Sequence, residues 1–312
     1  MRERWIQLII ALSLSVCLWH LMLPYATTRS GCVQAWLSCR APDYRTALGP
    51  EWRARVLANA VANRYFPHEM QISISRFQHG VGIYCAGWFG VTCLCLCMFW
   101  HRPVWMMFAV FACLQYAYTP NGLRTVLPWD YPALFFWTVL VTCAMRRWRW
   151  SLLVCVAAGV GFKETVLLGA LVPLFWPGSW RHRIAWACAI GAAGTGVKVL
   201  LDAYVSHSPY FFSQTIGGSE LRIVTNIKWL CGSVAHVTGD SVILRQYRWN
   251  HLAFVNGGTL LAVWLVRGRW MLKTLIATLA IGILICGEAN EFRIWFEAIP
   301  VALAALAGMD RS

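Results

Sequence analysis

The sequence predicts an all-α fold, a polytopic bundle of membrane helices, and three observations lead there. Apolar runs of membrane length recur from residue 5 to residue 308. Hydrophobic residues make up 59% of the chain and charged ones only 13%, proportions that a soluble domain with one buried core does not show. The acids gather at one end of the apolar runs, while the short turns at the other end carry Arg and Lys.

In chain order the spans fall at about 5–24, 81–100, 103–118, 131–145, 184–204, 251–266, 272–287 and 294–308. Basic residues precede Trp5–Pro24 as in a signal peptide, yet the segment is long enough to span and has no clear small-residue cleavage site, so it reads as a retained first span. Segment 151–176 is different. Its halves are each about a dozen residues, roughly half a bilayer at ~1.5 Å per residue, and Gly159 and Gly161 stand just before a polar tip, Lys163-Glu164-Thr165.

Charge parity decides how that segment runs. A single crossing would put Arg181-His182-Arg183 and the turn Arg267–Lys273 outside, against the tendency of short basic loops to stay cytoplasmic. A re-entrant helical hairpin keeps them, with Arg146, Arg147 and Arg149, on the cytoplasmic side. Irregular backbone at that depth is tolerated where it lines a protein-enclosed cavity.

The whole chain, 1–312, then forms one membrane domain of about eight spans plus the hairpin, with external loops at 25–80 and 205–250. Eleven of the thirteen acids, all but Glu3 and Asp310, face the outside or the outer membrane. In the first external loop, Glu51–Phe66 reads as an amphipathic helix resting on the outer surface, with Val56, Leu57, Ala60 and Val61 on one side.

The net charge of +14 follows from juxtamembrane Arg clusters that set topology and touch anionic membrane lipids, so no nucleic-acid partner is expected. Most of the thirteen cysteines lie in apolar segments and pack as small hydrophobes. Cys32 and Cys39 lie outside the cytoplasm, where oxidation to a disulfide is open to them. The eight histidines are scattered without ligand spacing, so no metal site is indicated.

Four constellations carry chemistry. Asp43, with Glu51, Arg53 and Arg55 following, sets a carboxylate beside two guanidinium groups, a base next to a phosphate clamp; the alternative is a solvated loop whose arginines reach lipid phosphates. Lys163 and Glu164 are ionisable residues inside an apolar stretch, which mark a site unless they merely neutralise each other. Glu288, Glu291 and Arg293 lie at the outer junction of the last two spans, and Arg293 is free to pair with Glu297 one helical turn on. Asp130, between Pro128 and Pro132, lines the site or caps the helix that follows. Lys198 and Asp202, four apart, read as a structural pair.

No P-loop, GxGxxG, GxSxG or DxD-type cluster occurs, so neither ATP nor a nucleotide sugar is indicated as the energy source. In order, the remaining pieces resemble the GT-C superfamily of integral-membrane glycosyltransferases, specifically bacterial members similar to protein mannosyltransferases and lipid A sugar transferases. Asp43-Tyr44 followed by Glu51-Trp-Arg53-Ala-Arg55 is similar to that superfamily's early external Asp and arginine-bearing helix; Lys163-Glu164-Thr165 to its hairpin tip; and Glu291-Phe-Arg293 before Pro300 to its closing acid-x-Arg.

The resemblance implies a polyprenyl-phosphate-linked sugar donor and a glycan, lipid or protein acceptor, on the periplasmic side of a bacterial inner membrane. It implies Asp43 as the base that deprotonates the acceptor hydroxyl, with inversion at the anomeric carbon. The lipid phosphate would lie against Lys163, Arg53 or Arg55, and Arg293, with no cofactor; a divalent metal is not required where such cations neutralise the leaving phosphate. Two other classes fit the same charges: a lipid-linked sugar flippase or other transporter, and a non-catalytic partner in envelope assembly. The chain shows no second half matching the first, as many transporters do.

Overall fold

A computed structural model of the protein describes residues 2–22, 55–65, 74–100, 103–117, 127–206, 270–286 and 297–307, with short pieces at 215–216, 220–221, 223–224 and 226–227. The described residues are helices joined by short turns, apart from a two-residue antiparallel pairing of β1 (Thr215–Ile216) with β2 (Glu220–Leu221). The helices are α1 (Arg2–Met22), α2 (Val56–Tyr65), α3 (Ile74–Phe99), α4 (Pro103–Ala117), α5 (Asp130–Arg146), α6 (Arg149–Gly159), a 3₁₀ helix (Glu164–Phe175), α7 (Trp180–Ser206), α8 (Trp270–Cys286) and α9 (Ala298–Ala307).

Three of these are long and apolar enough to cross a membrane: Glu3–Leu21, Gln78–Phe99 and Trp180–Tyr204. Their outward faces carry exposed apolar side chains, Trp5, Ile9, Val91, Met98 and Leu200 among them. That is the pattern expected where lipid, not water, is the solvent.

Close contacts between distant residues set the helix directions. Gly82 and Gly90 of α3 lie against Trp19 and Ser15 of α1, so those two helices are antiparallel. The Tyr84 hydroxyl donates to the Pro128 carbonyl at 2.9 Å near the start of α5, and Arg146 donates to the Phe99 carbonyl at 2.9 Å at its end. The turn after α5 closes with Arg147 in the left-handed region, φ 57°, while the Trp148 N–H reaches the Cys143 carbonyl at 3.0 Å. Such a close stops a helix and redirects the chain.

Redirected, α6 and the 3₁₀ helix fold back on each other. Gly159 lies against Val166 and Gly169 against Val156, an antiparallel register. The Trp176 indole N–H donates to the Ala144 carbonyl at 3.0 Å, and Arg183 donates to the Leu174 carbonyl at 3.0 Å. Both ends of the hairpin therefore sit at the Arg146 end of α5. Its tip reaches only partway along α5, where the Trp137 indole donates to Thr165 at 3.3 Å and the Phe136 and Phe162 rings lie 4.9 Å apart.

Glycine makes this packing possible. A Cβ at Gly159 would come within 3.0 Å of the Phe136 ring, and one at Gly194 of α7 within 2.7 Å of Leu167. Helices in lipid gain little from hydrophobic burial and associate by close backbone approach, which small residues permit.

The helix expected over Glu51–Phe66 is described from Val56 to Tyr65, and it is docked more deeply than a helix lying on a membrane surface. Val56, Ala58, Asn59 and Ala62 are buried, while Val61 of the expected apolar side is exposed. The cause is its anchor: the Leu57 N–H, which has no partner inside its own helix, donates to the Gly161 carbonyl at 3.0 Å, seating α2 on the hairpin tip. The span expected at 251–266, most of the two external loops, and Cys32 and Cys39 lie outside the described residues.

Candidate functional site

The site begins at the hairpin tip. Phe162 and Lys163 both donate backbone N–H groups to the Gly159 carbonyl at 2.9 Å, which ends α6 and throws Lys163 into an extended conformation. Its ammonium lies 3.4 Å from a carboxylate oxygen of Glu297, at the start of α9. Glu164, the next residue, opens the 3₁₀ helix and faces two other cations: the Arg55 Nε at 3.6 Å and the Lys198 ammonium at 4.0 Å.

Lys198 comes from α7, and the antiparallel packing of that helix on the hairpin explains its position. Gly191 lies against Ala170 and Gly194 against Leu167. One further turn along α7 reaches Lys198 opposite Glu164, with Asp202 paired to Lys198 at 2.6 Å. Arg55 completes the group from the N-terminal side of α2, its guanidinium carbon 4.3 Å from the centre of the Trp129 ring. At that distance the ring face attracts the cation.

Four elements thus bring Arg55, Lys163, Glu164, Lys198, Asp202 and Glu297 together within an apolar bundle. Lys163, Lys198, Asp202 and Glu297 are 1–6% exposed. An unpaired charge so buried would cost several kcal/mol, so the pairs must form where they do. Three buried polar atoms of the cluster nonetheless make no hydrogen bond among the described residues: Arg55 Nε, Asp202 Oδ2 and Glu297 Oε2.

Several readings of the sequence change. Lys163 and Glu164 do not neutralise each other; each pairs with a residue far away in the chain. Glu297 is tied to Lys163, and Lys198–Asp202 is no isolated structural pair, since Lys198 also faces Glu164. The Asp130 carboxylate accepts the Leu127 N–H at 2.8 Å in the turn that opens α5. Asp43, Glu51, Arg53, Glu288, Glu291 and Arg293 lie outside the described residues.

Lys198, Asp202 and Glu297 were absent from the expected site because each has a charge four residues away that accounts for it locally. The signal that finds them is their setting, since an ionisable residue inside an apolar span marks a site by default. Chemically, the cluster offers ammonium and guanidinium groups suited to a phosphate, held by carboxylates that a ligand can replace. Among the described residues no three His, Cys, Asp or Glu side chains are gathered as a metal-ligand set. Comparison with protein-family models, with curated proteins and with solved structures finds no match to the chain.

Proposed function

We propose that the chain is an inverting glycosyltransferase of the GT-C kind, moving a sugar from a polyprenyl-phosphate donor to a hydroxyl of an envelope glycan, lipid or protein. The observation that carries this reading is the meeting of Arg55, Lys163 and Glu164 at the tip of a half-length hairpin inside an apolar bundle. Each ionisable residue at such depth costs about 2.5–3.5 kcal/mol on insertion scales, so a cluster kept there serves a ligand.

In this reading the bundle has about eight spans in a bacterial inner membrane, and the hairpin enters and leaves from the cytoplasmic side. The cluster then opens toward the periplasmic half. Lys163 and Arg55, with Arg53 and Arg293, hold the lipid phosphate, and Glu164 orients Arg55. Asp43 takes the proton of the acceptor hydroxyl while its oxygen bonds to the anomeric carbon. The bond from that carbon to the phosphate oxygen breaks, and the cations stabilise the charge left on the phosphate.

The test is transfer of labelled sugar from polyprenyl-phosphate donors to isolated envelope acceptors by the purified protein in nanodiscs. Transfer that falls more than about 100-fold in a folded Lys163→Ala variant supports the reading; absence of transfer and of donor binding sinks it. One observation favours a lipid-linked sugar flippase instead: the described cations and carboxylates pair with each other, as in a gate. Movement of intact donor across proteoliposomes without sugar transfer would decide for that alternative.

A further inference from the structure

Arg55 meets the cluster with one edge and one face. Its Nε stands 3.6 Å from Glu164 Oε2, and its guanidinium carbon lies 4.3 Å from the centre of the Trp129 ring. The contact with Glu164 is an ion pair without a hydrogen bond, since Nε makes none among the described residues. The N–H donors of a guanidinium radiate in its plane, so a ring against its face attracts the charge and occupies none of them. Held by its face and by its Nε edge, the group presents the fork of its two terminal nitrogens. That fork is the geometry that takes a phosphate in two parallel hydrogen bonds.

The ring behind Arg55 is fixed. Trp129 is 0% exposed and sits in a turn closed by two hydrogen bonds: the Asp130 N–H donates to the Leu127 carbonyl at 3.1 Å, and the Leu127 N–H to the Asp130 carboxylate at 2.8 Å. From α3, the Tyr84 hydroxyl donates to the Pro128 carbonyl at 2.9 Å. On the other side, the Ala133 N–H donates to the Trp129 carbonyl at 2.9 Å and carries the turn into α5. With the backbone fastened on both sides, the ring has no room to swing away. Arg55 differs, for its side chain is 19% exposed and stands just before α2. A long side chain in such a place has many rotamers to lose, a cost that falls on ligand binding unless the protein has already met it.

We propose that Trp129 is a positioning residue for phosphate binding: its ring selects the Arg55 rotamer that presents the terminal nitrogens to the lipid phosphate. The inference deepens the glycosyltransferase reading and rests on it for the class of ligand. Without the ring, Arg55 would turn its terminal nitrogens onto Glu164, and the donors meant for phosphate would be engaged within the protein. Apparent affinity falls with the share of molecules in the competent conformation. The segment Pro128–Pro132 thereby gains a role that does not need Asp130 to touch the ligand: Asp130 braces the turn, and Trp129 faces the site.

The experiment measures by calorimetry the affinity of the full chain in nanodiscs for a polyprenyl phosphate. The wild type is compared with Trp129→Leu, Trp129→Phe, Arg55→Met and Trp129→Leu/Arg55→Met. Trp129→Leu should weaken binding about tenfold, the scale of a cation held on an aromatic face, while Trp129→Phe, which keeps a ring face, should lose less than about threefold. In the Arg55→Met background, Trp129→Leu should cost nothing further; a merely structural role would weaken binding by the same factor with or without Arg55. Because Trp129→Leu opens a packed core, a fluorinated tryptophan in place of Trp129 alone, introduced by codon suppression, keeps the volume and weakens only the ring face. It should weaken binding about two- to threefold with Arg55 present and not at all in Arg55→Met. Equal losses in the two backgrounds, or unchanged affinity of the fluorinated protein, overturns the inference and leaves the glycosyltransferase reading standing. Absence of binding by the wild type overturns both.

Discussion

The Lys163 ammonium lies 3.4 Å from the Glu297 carboxylate, joining the hairpin tip to the first turn of the last described helix. Both residues are buried, so neither charge is tolerable without the other. The pair is therefore at once a fastening of the bundle and a cation held at the site.

Lys163→Met alone should destabilise the protein by about 3–5 kcal/mol, because it strands Glu297 in an apolar setting. Lys163→Met/Glu297→Leu should recover most of that loss. Denaturation in detergent of the two single variants and the double variant measures the coupling; additive losses would show that the two charges do not depend on each other.

Asp43→Asn should reduce sugar transfer by about 10²–10⁴-fold while leaving expression and membrane insertion intact, the usual cost of losing a general base. A reconstituted assay with a polyprenyl-phosphate sugar checks this. Full activity would move the role of base to another carboxylate, with Glu51 next in line.

Glu297 is engaged by Lys163, and Arg293, one helical turn before it in the sequence, is expected to bind the donor phosphate. Arg293→Ala should weaken donor binding, and adding Glu297→Ala should not restore it. Donor affinity measured on both variants separates a phosphate contact from a local ion pair.

Ser179 is exposed in the turn between the hairpin and α7. A single cysteine introduced there as Ser179→Cys, with the native cysteines replaced, should react with a membrane-impermeant thiol reagent only once that reagent reaches the cytoplasm. Labelling of intact cells from outside would mean that 151–176 crosses the bilayer once, which removes the shared periplasmic site that the proposed glycosyltransferase requires.

Gly159→Val should loosen the hairpin from α5, since even a Cβ would stand 2.8 Å from Val166 and 3.0 Å from the Phe136 ring. Overpacking of this kind costs about 1–3 kcal/mol. A lowered thermal midpoint, together with weaker donor binding, would tie the tip's position to the fit of the hairpin.

Much of the fold was legible in the sequence because membrane helices announce themselves locally. Apolar length marks α1, α3 and α7, and the glycines and polar tip of 151–176 mark a turn. The placing of Arg146, Arg147, Arg181 and Arg183 at one end rests on a count of basic residues, which needs no knowledge of packing. Lys163 and Glu164 stood out for the same reason, as charges where local solvent is apolar.

The partners of those charges were not legible. Spacing offers each charge a partner nearby in the chain: Arg293, one helical turn away, for Glu297, and the adjacent Glu164 for Lys163. Which cation meets which carboxylate depends instead on how the antiparallel helices slide against one another, and glycine-permitted contacts at Gly159, Gly169 and Gly194 set that register. The sequence by itself determined that charges would be buried in this bundle, since composition and span length suffice for that. Only the tertiary structure decided that Arg55, Lys198, Asp202 and Glu297 join Lys163 and Glu164 in one cluster, because a pairing between helices exists only once the helices have packed.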